Sequence, residues 1–134
     1  MQTQEQIVCV DDDPDMLRLY ARMMRGAPGW KLAAFENALE AVAFMKTQAG
    51  SVSLVVTDFE MPLMNGRDLA AAVNEIDPDL PVVCVTGCDP DRAQSPRFAA
   101  VVTKPFHLGG LRDCLNACLN RHRGWTEQFS QNPS

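Results

Sequence analysis

Five short apolar runs, each divided from the next by a segment with helical signals, constrain this chain more than any other feature. They are QIVCV at 6–10, KLAAF at 31–35, SLVVT at 53–57, PVVCVT at 81–86 and AAVVT at 99–103. Runs that are apolar throughout, without polar alternation, belong in strands covered on both faces. The segments between them carry helix starts and stops. Asp13-Pro14 sets an N-cap before a proline at the first helical position. Leu17, Tyr20 and Met24 follow at helical spacing, to about Arg25, and Gly26-Ala-Pro-Gly29 breaks the pattern. Asn37 and Glu40 have the spacing of a capping box and open a helix to about Gln48. An alanine-rich helix is expected over 67–76, stopped by Asp77-Pro78. Asp89-Pro90 repeats the Asp-Pro start, but Pro96 leaves room only for a short fourth helix. A last helix is expected over 108–121, with Leu108, Leu111, Leu115 and Leu119 on one face. Gly109 and Gly110 weaken its first turn by about 1 kcal/mol each relative to alanine.

Strands alternating with helices give a parallel sheet with helices on both faces, and right-handed crossovers leave few topologies. The expected fold class is therefore α/β, a doubly wound five-stranded parallel sheet with five helices, the fourth of them short. Residues 1–121 form one domain and 122–134 a polar C-terminal tail, loose except where Trp125 and Phe129 can dock. In such sheets a site forms at the carboxyl ends of the strands, near the point where strand order reverses.

Composition narrows the class. The 134 residues are 46% apolar and 22% charged, which suits a globular domain with a real core. A net charge of −5 and a pI near 4.9 argue against nucleic-acid binding and against docking on acidic membranes. No apolar run approaches the ~20 residues of a membrane span, and MQTQEQ lacks the features of a signal peptide. The expected location is the cytoplasm. The five cysteines, Cys9, Cys84, Cys88, Cys114 and Cys118, are an odd number scattered through apolar segments. They read as reduced core thiols, since no CxxC or nearby histidine completes a zinc site.

What collects at the strand ends is more telling. The first strand ends at Asp11 and Asp12, the third at Asp58, the fourth at Thr86 and the fifth at Lys104. Each has a bland reading when taken alone: a solvated helix start, a strand-end hydroxyl, a surface lysine. A parallel sheet brings all of them to one rim. Clustered carboxylates there need a cation or a proton, and hard oxygen ligands without His or Cys favour Mg²⁺. A metal ion, an ammonium and a hydroxyl together stabilise a phosphoryl group in transfer. A carboxylate among them can be the nucleophile and form an acyl phosphate. Asp11 and Asp12 then hold the cation, and Asp13 caps the helix.

These residues lie in motifs that resemble those of the receiver domains of two-component response regulators. The matching pieces are VDDDP at 10–14, TDFEMPLMNG at 57–66, VTG at 85–87 and TKPF at 103–106, and the resemblance covers residues 6 to about 121. It implies a flavodoxin-like sheet of strand order 2-1-3-4-5. It implies that Asp58 accepts a phosphoryl group from a phosphohistidine of a histidine kinase or histidine phosphotransfer protein. It further implies Mg²⁺ held directly by Asp12 and mainly through water by Asp11, with Asp58 and the backbone carbonyl of Glu60 also in the metal site. Thr86 moves to hydrogen-bond the phosphoryl group, Lys104 pairs with it, Met61-Pro62 and Gly66 shape the loop, and a cis peptide precedes Pro105. The switched surface runs from the fourth strand to the fifth helix.

The sequence departs from the pattern in two places. Val101 stands three positions before Lys104, where many receivers have Tyr or Phe. The interval from Thr86 to Lys104 is 18 residues, shorter than is common in the family. Phe98 and Phe106 are candidates for a substitute moving aromatic, with core packing the simpler role for each. Glu60 borders the phosphoryl site, where an acid can repel the anion or steer a water. His107 and His122 read as surface residues. The expected protein is a stand-alone receiver, a signalling domain rather than an enzyme, acting on an unknown downstream protein as a monomer or weak dimer. Other readings are a phosphate relay, a receiver cut from a hybrid histidine kinase, and a pseudo-receiver that binds partners without phosphorylation. A phosphatase of the haloacid dehalogenase type fits poorly, because Asp58-Phe59-Glu60-Met61-Pro62 lacks the Asp-x-Asp that such enzymes need.

Overall fold

In the computed structural model, residues 4–27, 29–48, 50–87 and 89–131 are described, with side chains described to Asn120. The strands are β1 (Glu5–Val10), β2 (Trp30–Phe35), β3 (Val52–Asp58), β4 (Val82–Thr86) and β5 (Phe98–Thr103). The helices are α1 (Pro14–Arg25), α2 (Ala38–Thr47), α3 (Gly66–Ile76) and α4 (Leu108–Gln131). All strand pairs are parallel, in the order β2-β1-β3-β4-β5.

The burial of each strand explains how clearly its sequence announced it. Val8 to Val10 of β1, Leu54 to Thr57 of β3 and all of β4 are buried, because these strands are flanked on both edges and covered on both faces. The edge strands β2 and β5 expose Lys31, Ala34, Ala99 and Thr103, so their sequences are less uniformly apolar. Helices α1 and α4 cover one face over a core that includes Ile7, Cys9, Tyr20, Leu54, Val83, Leu111 and Leu115. Helices α2 and α3 cover the other over Val8, Val10, Ala41, Val55, Leu69 and Val73. Each fully buried Leu, Ile or Val contributes about 1.5–3 kcal/mol relative to exposure, before entropy is counted.

Local chemistry sets the helix starts. The Asp13 side chain accepts from Asp15 N–H at 2.9 Å, with Pro14 opening α1. Asn37 accepts from the N–H groups of Leu39 and Glu40. A reciprocal capping box forms instead at α3, between Asn65 and Asp68.

Two elements differ from the sequence reading. The short helix expected after Asp89 is a single turn, and the described residues contain four helices rather than five. The N–H groups of Arg92 and Ala93 both reach Asp89 carbonyl, and Asp89 caps Asp91 N–H at 3.0 Å. Pro96 has no N–H to donate to Arg92 carbonyl, which accepts instead from Arg67 at 3.2 Å, so the turn is not continued. The last helix, expected to end at 121, continues to Gln131. No proline interrupts residues 121–131, and Gly124 alone does not stop a helix. Trp125, Phe129 and His122 have side chains outside the described residues, as does Cys88.

Candidate functional site

Parallel pairing carries the strand ends to one rim. Val10 pairs with Thr57, so Asp11 and Asp58 leave neighbouring strands side by side. Thr86 pairs with Thr103, and Lys104 N–H donates to Thr86 carbonyl at 2.8 Å. The strand order reverses between β1 and β3, where a doubly wound sheet opens its crevice.

Carboxylate oxygens of Asp11, Asp12 and Asp58 lie within 4.8 Å of one another. Asp11 is buried, Asp58 half-buried and Asp12 exposed. Asp11 Oδ1 accepts from Asp13 N–H at 2.9 Å. Its Oδ2 is buried, makes no hydrogen bond, and faces Lys104 Nζ at 3.5 Å. Asp58 Oδ1 accepts from Phe59 N–H at 2.9 Å and stands 3.6 Å from the same ammonium. Burial, then the charge of Asp11, push the Asp58 carboxyl up to about 6, against the pull of Lys104 and Phe59 N–H. Burial likewise raises Asp11, opposed by Asp13 N–H and Lys104. The cluster thus carries more negative charge than one ammonium balances. An all-oxygen donor set with one buried oxygen lacking a hydrogen bond fits a hard divalent cation such as Mg²⁺.

Beside the cluster opens a cleft of about 340 Å³ lined by Asp58, Glu60, Thr86, Gly87 and Lys104. Its wall depends on a close approach. A Cβ at Gly66 would stand 2.9 Å from Asp58 carbonyl oxygen and 3.1 Å from Phe59 Cα. Gly66 N–H donates to Phe59 carbonyl at 2.7 Å, closing the loop that Met61 and Pro62 enter. The Lys104–Pro105 peptide is cis.

The structure therefore brings together Asp11, Asp12, Asp58, Thr86 and Lys104, with Glu60 among the residues that line the cleft. Phe98 and Val101 pack on a small cluster of Phe59, Cys84 and Ala93, and Phe106 packs on the core under α1 and α4. His107 is exposed. Two residues escaped the sequence reading. Arg67 lies 5.5 Å over the Phe59 ring and donates to Gln94 and Arg92 carbonyls at 3.1–3.3 Å. Arg92 Nη2 stands 3.9 Å from Glu60 Oε1. No local spacing marks either arginine, since their partners are distant in the chain.

Fold and rim together define a flavodoxin-like α/β domain with a cluster of three carboxylates at its switch point. The chain belongs to the response regulator receiver domain family, which it matches over residues 7–116. It is 38% identical over 117 residues to the response regulator receiver protein CpdR of Brucella abortus (strain 2308), covering 84% of this chain and 92% of that protein. It is 34% identical over 125 residues to the C4-dicarboxylate transport transcriptional regulatory protein DctD of Pseudomonas aeruginosa. That match covers 90% of this chain but 26% of DctD. A response regulator receiver domain from Clostridium thermocellum superposes with a TM-score of 0.81 at 23% identity, covering 89% of this chain and 97% of that one. This last likeness bears on fold alone. Receiver domains are signalling domains of two-component systems rather than classical enzymes, and they bind Mg²⁺ at an acidic pocket.

Proposed function

We propose that this receiver takes a phosphoryl group onto Asp58 from a phosphohistidine of a sensor kinase or phosphotransfer protein. The observation that carries the reading is the position of the Asp58 carboxylate. It shares a 4.8 Å cluster with Asp11 and Asp12, lies 3.6 Å from the Lys104 ammonium, and borders the cleft that Thr86 lines. An Asp58 oxygen attacks phosphorus, the P–N bond breaks, and the imidazole leaves with the electron pair and takes up a proton. The new P–O bond is an acyl phosphate. Asp11, Asp12, Asp58 and the Glu60 carbonyl are the groups to hold Mg²⁺, which when bound neutralises carboxylate and phosphoryl oxygens. Lys104 pairs with the transferred group, and the Thr86 hydroxyl donates to it.

Phosphorylation adds about −1.5 to −2 charges to this rim. Thr86 and Lys104 end β4 and β5, so their response biases the face from β4 to the last helix, where a downstream protein binds. The acidic net charge of −5 supports protein partners over nucleic acid or membrane, with a monomer or weak dimer as the working state. No described helix is long and apolar enough to cross a membrane, and we place the domain in the cytoplasm.

The test is intact-protein mass spectrometry after incubation with acetyl phosphate and Mg²⁺. One added phosphoryl group is expected, lost in Asp58→Ala and on chelation. If wild type gives no adduct, a beryllofluoride titration decides. Binding there means an acyl phosphate that is short-lived or formed only from the kinase, whereas no binding makes the domain a pseudo-receiver.

A further inference from the structure

The segment after β4 forms only a single turn, yet it is held firmly against the site. Ala93 is fully buried against Phe59 and Cys84. Arg67, stacked on the Phe59 ring, donates to the carbonyls on either side of it, those of Arg92 and Gln94. These contacts fix the backbone at Arg92 while leaving its side chain 71% exposed, with a guanidinium nitrogen 3.9 Å from Glu60. Glu60 in turn lines the cleft that holds Asp58. The ammonium of Lys104 already faces both Asp11 and Asp58. An exposed Arg–Glu pair at that distance is weak and exchangeable. A phosphoryl group on Asp58 carries more charge than the Glu60 carboxylate and presents oxygens that a guanidinium can take in a bidentate way.

We infer that Arg92 is a phosphoryl-sensing residue of this receiver: on phosphorylation it leaves Glu60 for the phosphoryl oxygens and braces the segment 89–97 against the site. The inference rests on the proposed acceptor role of Asp58. It supplies a coupling that the family's usual aromatic, replaced here by Val101, does not provide. Arg92 is anchored at its backbone and held at its tip only by an exposed, exchangeable pair with Glu60, so a change of partner at the tip is transmitted to the edge of β4 and β5 with no helix between. Arg92 is a positioning and sensing group, since Asp58 accepts the phosphoryl group without it.

The experiment compares beryllofluoride affinity, with Mg²⁺, in wild type, Arg92→Ala and Arg92→Lys, together with hydrogen exchange of residues 89–97 in free and loaded protein. Wild type should bind and gain protection in 89–97 on loading. Arg92→Ala should bind about five- to tenfold more weakly and lose that gain, while its free form exchanges as wild type does. Arg92→Lys should recover part of the affinity. Equal affinity and equal gain in Arg92→Ala overturn the inference and leave the acceptor role of Asp58 intact. Faster exchange in Arg92→Ala by the same factor in both forms also overturns it, because that marks a structural role. No binding by wild type removes the acceptor role and the inference with it.

Discussion

Lys104 and Asp11 come from the ends of strands that are not neighbours, yet Nζ and Oδ2 meet at 3.5 Å. The lysine reaches back past the ends of β4 and β3 to a carboxylate whose other oxygen is held by Asp13 N–H. It thereby occupies the charge position that a metal ion contests. Two opposite consequences follow for Lys104→Met. Without metal at pH 7, the carboxylates lose their counter-charge, and the domain should lose about 1–3 kcal/mol of stability. With metal, the same carboxylates are free of a competitor, and Mg²⁺ should bind several-fold more tightly. Urea unfolding and calorimetric titration read the two effects separately. Weaker Mg²⁺ binding in Lys104→Met would mean that the lysine helps to build the metal site.

The raised Asp58 carboxyl gives a pH signature. Its ordinary value is 3.8 and its folded value is about 6. Between these, the folded state holds more protons than the unfolded state, so unfolding free energy falls as pH rises through this window. Relative to Asp58→Asn, metal-free wild type should match at pH 4 and be less stable at pH 7, by about 1–3 kcal/mol. Saturating Mg²⁺ at pH 7 should erase the deficit. Denaturation midpoints of both proteins across pH 4 to 7 provide the check, and a wild type that gains on Asp58→Asn with rising pH contradicts the assignment.

Why some of this was legible in the sequence and some was not has a physical basis. Asp11, Asp58, Thr86 and Lys104 each terminate an apolar run, and parallel strands put such termini together whatever the loops do. Asp13-Pro14 was legible because a cap is a contact between near neighbours. Arg67, Arg92 and Phe59 were not, because their contacts depend on how a short return segment lies over α3. The turn at 89–93 shows the same limit. Asp89-Pro90 marks the start and Pro96 the end, but the single turn between them is held by Arg67 donating to Arg92 and Gln94 carbonyls, a distant contact that no local pattern records. The far end of α4 misled in the opposite sense. The leucine face stops at Leu119 while the helix runs on to Gln131, because burial and helix continuation are separate properties.

Asp13 should separate from its two neighbours by experiment. Its side chain accepts from Asp15 N–H at 2.9 Å and lies outside the carboxylate cluster. Asp13→Ala should cost about 1 kcal/mol of stability through the lost cap of α1. Mg²⁺ affinity should stay within about twofold, whereas Asp12→Ala should reduce it at least tenfold at little cost in stability. Denaturant melts and metal titrations on the two variants decide. A large metal defect in Asp13→Ala would place all three aspartates in the metal site.

Gly66 and Gly109 make a matched pair near the starts of helices, with opposite expectations for alanine. Nothing lies within 4 Å of a Cβ at Gly109, so Gly109→Ala should stabilise by up to about 1 kcal/mol through helix propensity alone. At Gly66 the added methyl meets Asp58 carbonyl oxygen at 2.9 Å and Phe59 Cα at 3.1 Å. Both are backbone atoms, so the clash is relieved only by moving the acceptor's own strand end. It also strains the 2.7 Å bond from Gly66 N–H to Phe59 carbonyl. The clash outweighs the propensity gain, and Gly66→Ala should lose about 1–3 kcal/mol. Asp58 is displaced with the strand end, so the rate of phosphorylation by acetyl phosphate should fall at least tenfold under conditions where the variant remains folded. Thermal melts of both variants beside phosphorylation time courses supply the comparison. A Gly66→Ala protein as stable and as reactive as wild type would show that this loop yields without carrying Asp58 with it.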